Sequence, residues 1–114
     1  MEVVTSKLLG DTLASFGIDR KKMRKSATTG LIVDIMGTGP PEKNVKGPKI
    51  IALRSELDAL PMPENNENLP YKSQTKHAHM CGHDGHMAML MAAAQVISAN
   101  RKQIPSNKGV RILL

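Results

Sequence analysis

All four histidines and the only cysteine of this 114-residue chain fall within ten residues, His77-Ala78-His79-Met80-Cys81-Gly82-His83-Asp84-Gly85-His86. Thiolate and imidazole are the ligands that zinc and related divalent ions take from proteins. Cys81 and His83 flank Gly82, which lets the backbone turn so that both side chains can address one centre. Asp84 and Gly85 are expected to open a helix, with Asp84 as its N-cap. A helix N-terminus carries partial positive charge and favours a nearby thiolate, the metal-binding form of Cys81. His77, His79 and His86 are weaker candidates. One of them could be a donor behind the ligands, and His77 and His86 read as bystanders.

Each member has a plainer interpretation. A cysteine alone is more often a small buried apolar residue, and a lone histidine is an ordinary surface or core residue. The clustering favours a metal site. A Cys81 nucleophile would need a base, and His83, two residues away on the same turn, is awkwardly placed for that. A redox role would want a resolving cysteine, and the chain has none. Asp58 is the second candidate. It stands just past an expected strand, where sites gather in open α/β sheets. A carboxylate there can orient a metal-bound histidine or hold the metal itself, or it can simply cap a turn. Glu56 could do similar work or pair with Arg54.

The elements around these residues follow from periodicity. Val4, Leu8, Leu9, Leu13 and Phe16 recur at helical spacing over 3–16, and Gly17 is a plausible stop. The basic stretch 20–26 reads as a solvated turn. Leu31–Ile35 is short and β-branched, hence a strand. Residues 37–48, with three Gly and three Pro, form a loop. Its Gly-Thr-Gly-Pro-Pro run lacks the Gly-Lys-Ser/Thr ending of a phosphate cradle. Lys49–Arg54 is a second strand, apolar enough to be buried on both faces. Residues 61–80 are a long polar loop, a length often tied to function. Residues 85–99 form the clearest helix, apolar all round and so expected to be buried. After a connector over 100–108, Val110–Leu114 is a third strand. The order α, β, β, α, β, with a helix of crossover length between the last two strands, indicates an α/β fold. A chain finishing inside an apolar strand suggests the first part of a longer α/β protein.

Composition excludes several classes. A hydrophobic fraction of 40% is too high for a mainly disordered chain. One cysteine rules out an internal disulfide framework and fits a reducing compartment, so a cytoplasmic location is expected. No apolar run is long enough to span a membrane, and no signal peptide is visible at Met1-Glu2-Val3-Val4. The net charge of +6 invites a nucleic-acid reading. Yet much of the excess is one patch, Arg20–Lys25, and Phe16 and Tyr71 are the only aromatics, so bases have no stacking platform. The eight methionines are expected to fill core space in their stead.

Three strings then coincide in order and spacing with one family. Leu53-Arg54-Ser55-Glu56-Leu57-Asp58-Ala59-Leu60-Pro61 resembles its L-R-A-D-M-D-A-L-P. Leu69-Pro70-Tyr71-Lys72-Ser73 resembles its L-P-Y-x-S. His79–Leu90 resembles its H-A-C-G-H-D-G-H-T-A-M-L. The family is the M20 metallopeptidases and amidohydrolases, in the branch of hippurate hydrolases and plant hydrolases of auxin–amino acid conjugates. The resemblance extends over nearly the whole chain, with the strong motifs in 53–90.

That resemblance implies hydrolysis of the amide bond of N-acyl amino acids by a dinuclear site of zinc or manganese. It implies that Cys81 and His83 are metal ligands and that Asp58 supports the metal site. Residues 1–114 would be the N-terminal, incomplete part of a three-layer α/β/α zinc-exopeptidase-like catalytic domain, without the lid and dimerisation domain through which the full-length protein could form a homodimer. The family's general-base Glu, its neighbouring metal-ligand Glu and two later His ligands have no counterpart here, so these residues alone should be inactive. The expected partner is a small N-acyl amino acid, with no nucleic acid and no membrane. The alternative is a non-catalytic metal-binding or interaction module of the same fold. Two departures stand out: Glu56 replaces the usual Asp, and Met80 the usual Ala. The Lys43–Lys46 stretch resembles an added surface loop.

Overall fold

The structure, a computed structural model, describes residues 2–114. Helix α1 spans Val3–Ser15, strand β1 Met23–Ser26, β2 Gly30–Met36, β3 Lys49–Arg54, helix α2 His83–Ala99 and β4 Lys108–Leu113. The four strands make one mixed sheet in the order β1-β2-β4-β3. β1 with β2 and β2 with β4 are antiparallel, whereas β3 and β4 are parallel. Parallel neighbours cannot be joined by a tight turn, and α2 lies in the connection between them, as its length suggested.

Register decides which side chains enter the core. Val33 stands opposite Ile112 and Ile35 opposite Val110, so one face of the sheet is aliphatic. Strand periodicity puts the intervening residues on the other face. α1 and α2 pack on each other and both reach β2, so they share the aliphatic face. The core joins Leu9 and Leu13 of α1, Ile18, the sheet residues Val33, Ile35 and Ile112, Leu57 from the loop, and Met87, Leu90, Met91 and Ala94 of α2. The α2 contributors recur at i, i+3, i+4 and i+7, one stripe of the helix. Methionine does take the place of aromatic filler, through Met87 and Met91. The described residues thus build a mixed α/β sheet with one helical layer, two of the three layers expected.

Several expectations change at this level. α2 is not buried all round: Met89 and Val96 on its far side are 65% and 62% exposed. The reason is that only one face of the helix meets the sheet. β3 was expected to be covered on both faces, yet it is the edge strand and Ile51 is 69% exposed. Its neighbours among the described residues lie on the β4 side alone. The basic stretch is not simply a turn. Arg20–Lys22 forms a single 3-10 turn, and Met23–Ser26 then pairs with the first half of β2, Gly30 to Val33, as strand β1. Met23 packs against the core while Arg24 and Lys25 stay exposed, so the patch is half solvated and half strand.

The Gly-Thr-Gly-Pro-Pro run has a packing role. A Cβ on Gly37 would overlap the carbonyl oxygens of Ile104 and Pro105, so the close approach of these backbones requires glycine. The Gly37 and Gly39 amides donate to Lys108 and Ile104 at 2.9 Å each, which fixes the loop after β2 to the segment entering β4.

On the sheet face away from the helices, Asp34 stands opposite Arg111. The guanidinium donates twice, Nε to Oδ1 at 2.6 Å and Nη2 to Oδ2 at 2.8 Å. Arg24 approaches Oδ2 from the next strand at 3.3 Å. The Arg111 hydrogen bonds hold the Asp34 carboxyl below its usual range. A depressed carboxyl contributes stability above its unfolded pKa and loses it as pH falls through the folded value. The pair is partly exposed, so its worth is modest. Asp34→Asn should lose about 1 kcal/mol at pH 7, and the gap to the unsubstituted chain should narrow at a strongly acidic pH, below the ordinary carboxylate range. Urea denaturation at the two pH values checks this; a gap that is unchanged at low pH would contradict it.

Candidate metal centre

The loop after β3 carries the first half of the site. The Ser55 amide donates to the Leu113 carbonyl at 3.0 Å and prolongs the parallel pairing by one residue. The chain stays extended, and Ser55 and Leu57 turn inward and are buried. Side chains alternate along an extended backbone, so Glu56 and Asp58 point the other way together. Leu60 and Ala78 exchange backbone hydrogen bonds at 3.0 Å in each direction, which closes the long loop at its base. The long loop expected over 61–80 contains no helix or strand.

The second half is the start of α2. Gly82 sits at φ +106 and is the N-cap residue. A side chain at that φ is strained, so glycine is what allows the loop to swing directly into the helix. The helix therefore begins at His83, earlier than the expected start at residue 85. Asp84 lies inside the first turn and is not the N-cap; it still places a carboxylate near the positive end of the helix. The first helical hydrogen bond runs from the His86 amide to the Gly82 carbonyl at 3.0 Å.

His83 and His86 are three residues apart on the helix and so share a face. That face meets the Glu56–Asp58 segment in two matched pairs. His83 Nδ1 lies 2.9 Å from Asp58 Oδ1 and 3.2 Å from the Asp58 carbonyl oxygen. His86 Nδ1 lies 3.1 Å from Glu56 Oε2. The two rings are 5.8 Å apart, centroid to centroid, and tilted by 30°. A backbone carbonyl can only accept, which assigns the proton of His83 to Nδ1. In the neutral ring Nε2 then holds a free lone pair. This is how outer carboxylates orient metal-binding histidines, so His83 and Asp58 fit the metal that their residue types suggest.

Glu56 is held on both oxygens. Arg54 Nη1 donates to Oε1 at 2.7 Å, while His86 takes Oε2. The His86 hydrogen bond, helped by the Glu56 backbone amide and the nearby charge of Arg54, keeps this carboxyl below its usual range. Cys81 is exposed. Among the described residues, the side chains whose ligand atoms converge in a group of three are Glu56, His83 and His86, each atom within 4.8 Å of the others. Cys81 is outside that group. His77 is exposed, and His79 is half-buried with a buried Nδ1 that has no hydrogen-bond partner.

Asp58 and His83 are thus brought together across 25 residues, whereas Cys81 stands on the turn beside them. Sequence reasoning did not foresee His86 as a partner of Glu56. The signal was present in two spacings: i, i+3 for the histidines and i, i+2 for the carboxylates.

Known proteins of one family resemble this chain. The model of peptidase family M20/M25/M40 matches residues 52–114, more than half of the chain. The chain is similar to thermostable carboxypeptidase 1 of Saccharolobus solfataricus, 36% identical over 104 residues that make up 90% of this chain and 24% of that protein. It is similar to the hippurate hydrolase of Campylobacter jejuni, 35% identical over 86% of this chain and 23% of that enzyme. The chain therefore spans about a quarter of the length of these relatives. Among solved structures, a dinuclear metal-binding M20-family peptidase of Bacillus subtilis superposes with TM-score 0.79 and 31% identity, over 100% of this chain and 29% of that one.

The Gly82 turn is the hinge on which the two pairs depend. Gly82→Ala should cost about 1–3 kcal/mol of stability, the range for a non-glycine residue held in the left-handed region. It should also loosen both His–carboxylate pairs. Denaturant unfolding measures the first effect. Imidazole nitrogen shifts of His83 and His86 report the second, and unchanged shifts would contradict the coupling.

Proposed function

The chain belongs to peptidase family M20/M25/M40, and on that premise we propose that it is the N-terminal part of a catalytic domain that hydrolyses the amide bond of N-acyl amino acids. Cys81 and His83 supply ligands to a divalent ion, zinc or manganese, and Asp58 positions His83. The observation that carries this reading is the Asp58–His83 contact, with Nδ1 committed to oxygen acceptors and Nε2 left for a metal. A bound divalent ion supplies Lewis acidity toward the amide carbonyl and an activated water. This chain's own residues do the preparatory work: Asp58 fixes the ring orientation, Gly82 sets the turn, and Cys81 lies open at its tip.

The substrate class rests on what the similar proteins are. Hippurate hydrolase is named for an N-acyl amino acid, and the carboxypeptidase likeness points to the same kind of amide bond. The two metal ions of the reading follow the Bacillus subtilis peptidase, which is dinuclear. A full-length homodimer and a cytoplasmic site of action belong to the same proposal. Among the described residues no helix is long and apolar enough to cross a membrane.

The general-base Glu and the later His ligands that the family resemblance implies have no counterpart in these 114 residues, so by themselves they should not turn over N-acyl amino acids. Metal binding is the direct test. Titration with cobalt(II) should give a thiolate charge-transfer band that disappears in Cys81→Ser. Asp58→Ala should weaken cobalt binding by about 10–100-fold, the usual effect of removing an orienting carboxylate. A missing band, or one that survives in Cys81→Ser, would refute the assignment of Cys81.

A further inference from the structure

Glu56, His83 and His86 form a donor set of which the proposed function uses only His83. Two of its members come from one helix face and the third from the facing extended segment. Such a set is complete without Cys81 and without any residue outside the chain.

The chemistry suits a zinc-class ion. Two imidazoles and one carboxylate make a ligand set that zinc takes in hydrolytic enzymes, with a further position open to water. The spacing suits it too. Donor atoms around a tetrahedral zinc at bond lengths of about 2.0–2.1 Å stand about 3.3 Å apart. His86 Nδ1 and Glu56 Oε2 share a hydrogen bond at 3.1 Å, which an ion bound by both atoms would replace, the His86 ring then carrying its proton on Nε2; the ligand atoms of all three residues lie within 4.8 Å of one another. The closing movement needed is on the order of one ångström, well within side-chain rotation.

The surroundings permit entry. The side chain of His86 is 51% exposed and that of Glu56 29%, so an ion can arrive from solvent. The Oε1 oxygen of Glu56 stays with Arg54, which leaves Oε2 as the ligating atom. The Arg54 charge works against a cation here and keeps the affinity below that of an unopposed site. Glu56 itself is one methylene longer than aspartate. Its carboxylate meets His86 on the helix face that also carries His83.

We propose that Glu56, His83 and His86 bind one divalent ion of the zinc or cobalt type, independently of Cys81. His83 has Nδ1 committed to Asp58, so its remaining nitrogen serves one ion at a time. The set Glu56–His83–His86 and the set Cys81–His83 are therefore alternatives for the same ion. This inference shares His83 with the proposed function but does not require Cys81 to be a ligand.

The test is zinc titration of the 114-residue chain by calorimetry, with histidine imidazole nitrogens followed by long-range proton–nitrogen correlation spectra. One equivalent of zinc should shift His83 and His86 and leave His77 and His79 in place. Cys81→Ser should bind within about threefold of the unsubstituted chain, a difference of under about 1 kcal/mol. Glu56→Gln and His86→Gln should each lose at least about tenfold in affinity, with circular dichroism confirming that they fold. The nitrogen spectra need no variant, so the outcome does not depend on variants that fold. Zinc shifts confined to His83, wild-type affinity in both Gln variants, or loss of binding in Cys81→Ser would each overturn the inference. Failure of the Cys81 assignment shows instead as a missing thiolate band with the two histidines still shifting.

Discussion

The site depends on the match between two periodicities. Along the extended segment, Glu56 and Asp58 project to one side with a repeat of two residues; along α2, His83 and His86 project to one side with a repeat of three. Both repeats advance by about 5–7 Å, the spacing of alternate strand residues and of helix neighbours. Two carboxylates can therefore meet two imidazoles pair by pair, Asp58 with His83 and Glu56 with His86. A shift of one residue along the extended segment would turn a carboxylate toward the core and Leu57 toward solvent. The burial of Leu57 in the main core penalises that slip, so hydrophobic packing sets the register of a polar site.

The sheet provides the rest of the rigidity. β3 and β4 are parallel, and Ser55 continues their hydrogen bonding past the end of β3. The extended segment thus leaves the sheet in a defined direction. α2 is anchored by Met87, Leu90, Met91 and Ala94 against the same sheet, and these residues begin immediately after His86. The polar first turn and the apolar stripe belong to one helix, so core packing positions the imidazoles. On the opposite face, the Asp34–Arg111 fork ties β2 to β4 without touching the site.

Chemically, the arrangement separates orientation from reactivity. Both imidazoles place Nδ1 against a carboxylate, and Asp58 leaves the other nitrogen of His83 for a metal. Cys81 stands apart, exposed on the Gly82 turn. The ligands proposed for the complete domain are Cys81 and His83, while the geometry of the described residues gathers Glu56, His83 and His86. His83 is common to both sets and is the residue on which any metal chemistry of this chain turns. The exposed face of β3 and the far side of α2 show that much of the hydrophobic surface near this centre is not covered by the described residues.

The residues that could do chemistry were legible from the sequence alone, because ligand types clustered within ten positions have few structural explanations. The elements were legible as well: apolar periodicity marks α1, α2 and the strands β2, β3 and β4, since burial of a face depends on local spacing. β1 was hidden inside a run of basic residues, whose charge masks the one apolar position, Met23, that packs against the core. The Asp84 cap failed because Gly82 can adopt a left-handed turn, which starts the helix earlier. Neighbour relations were not legible. The pairing of Asp58 with His83 and of Glu56 with His86 spans 25 and 30 residues, and no local pattern specifies it. Sequence by itself narrowed the candidates to the His77–His86 cluster and the carboxylates Glu56 and Asp58. Tertiary structure decided which of them meet, because only the packing of α2 on the sheet brings the helix face to the loop.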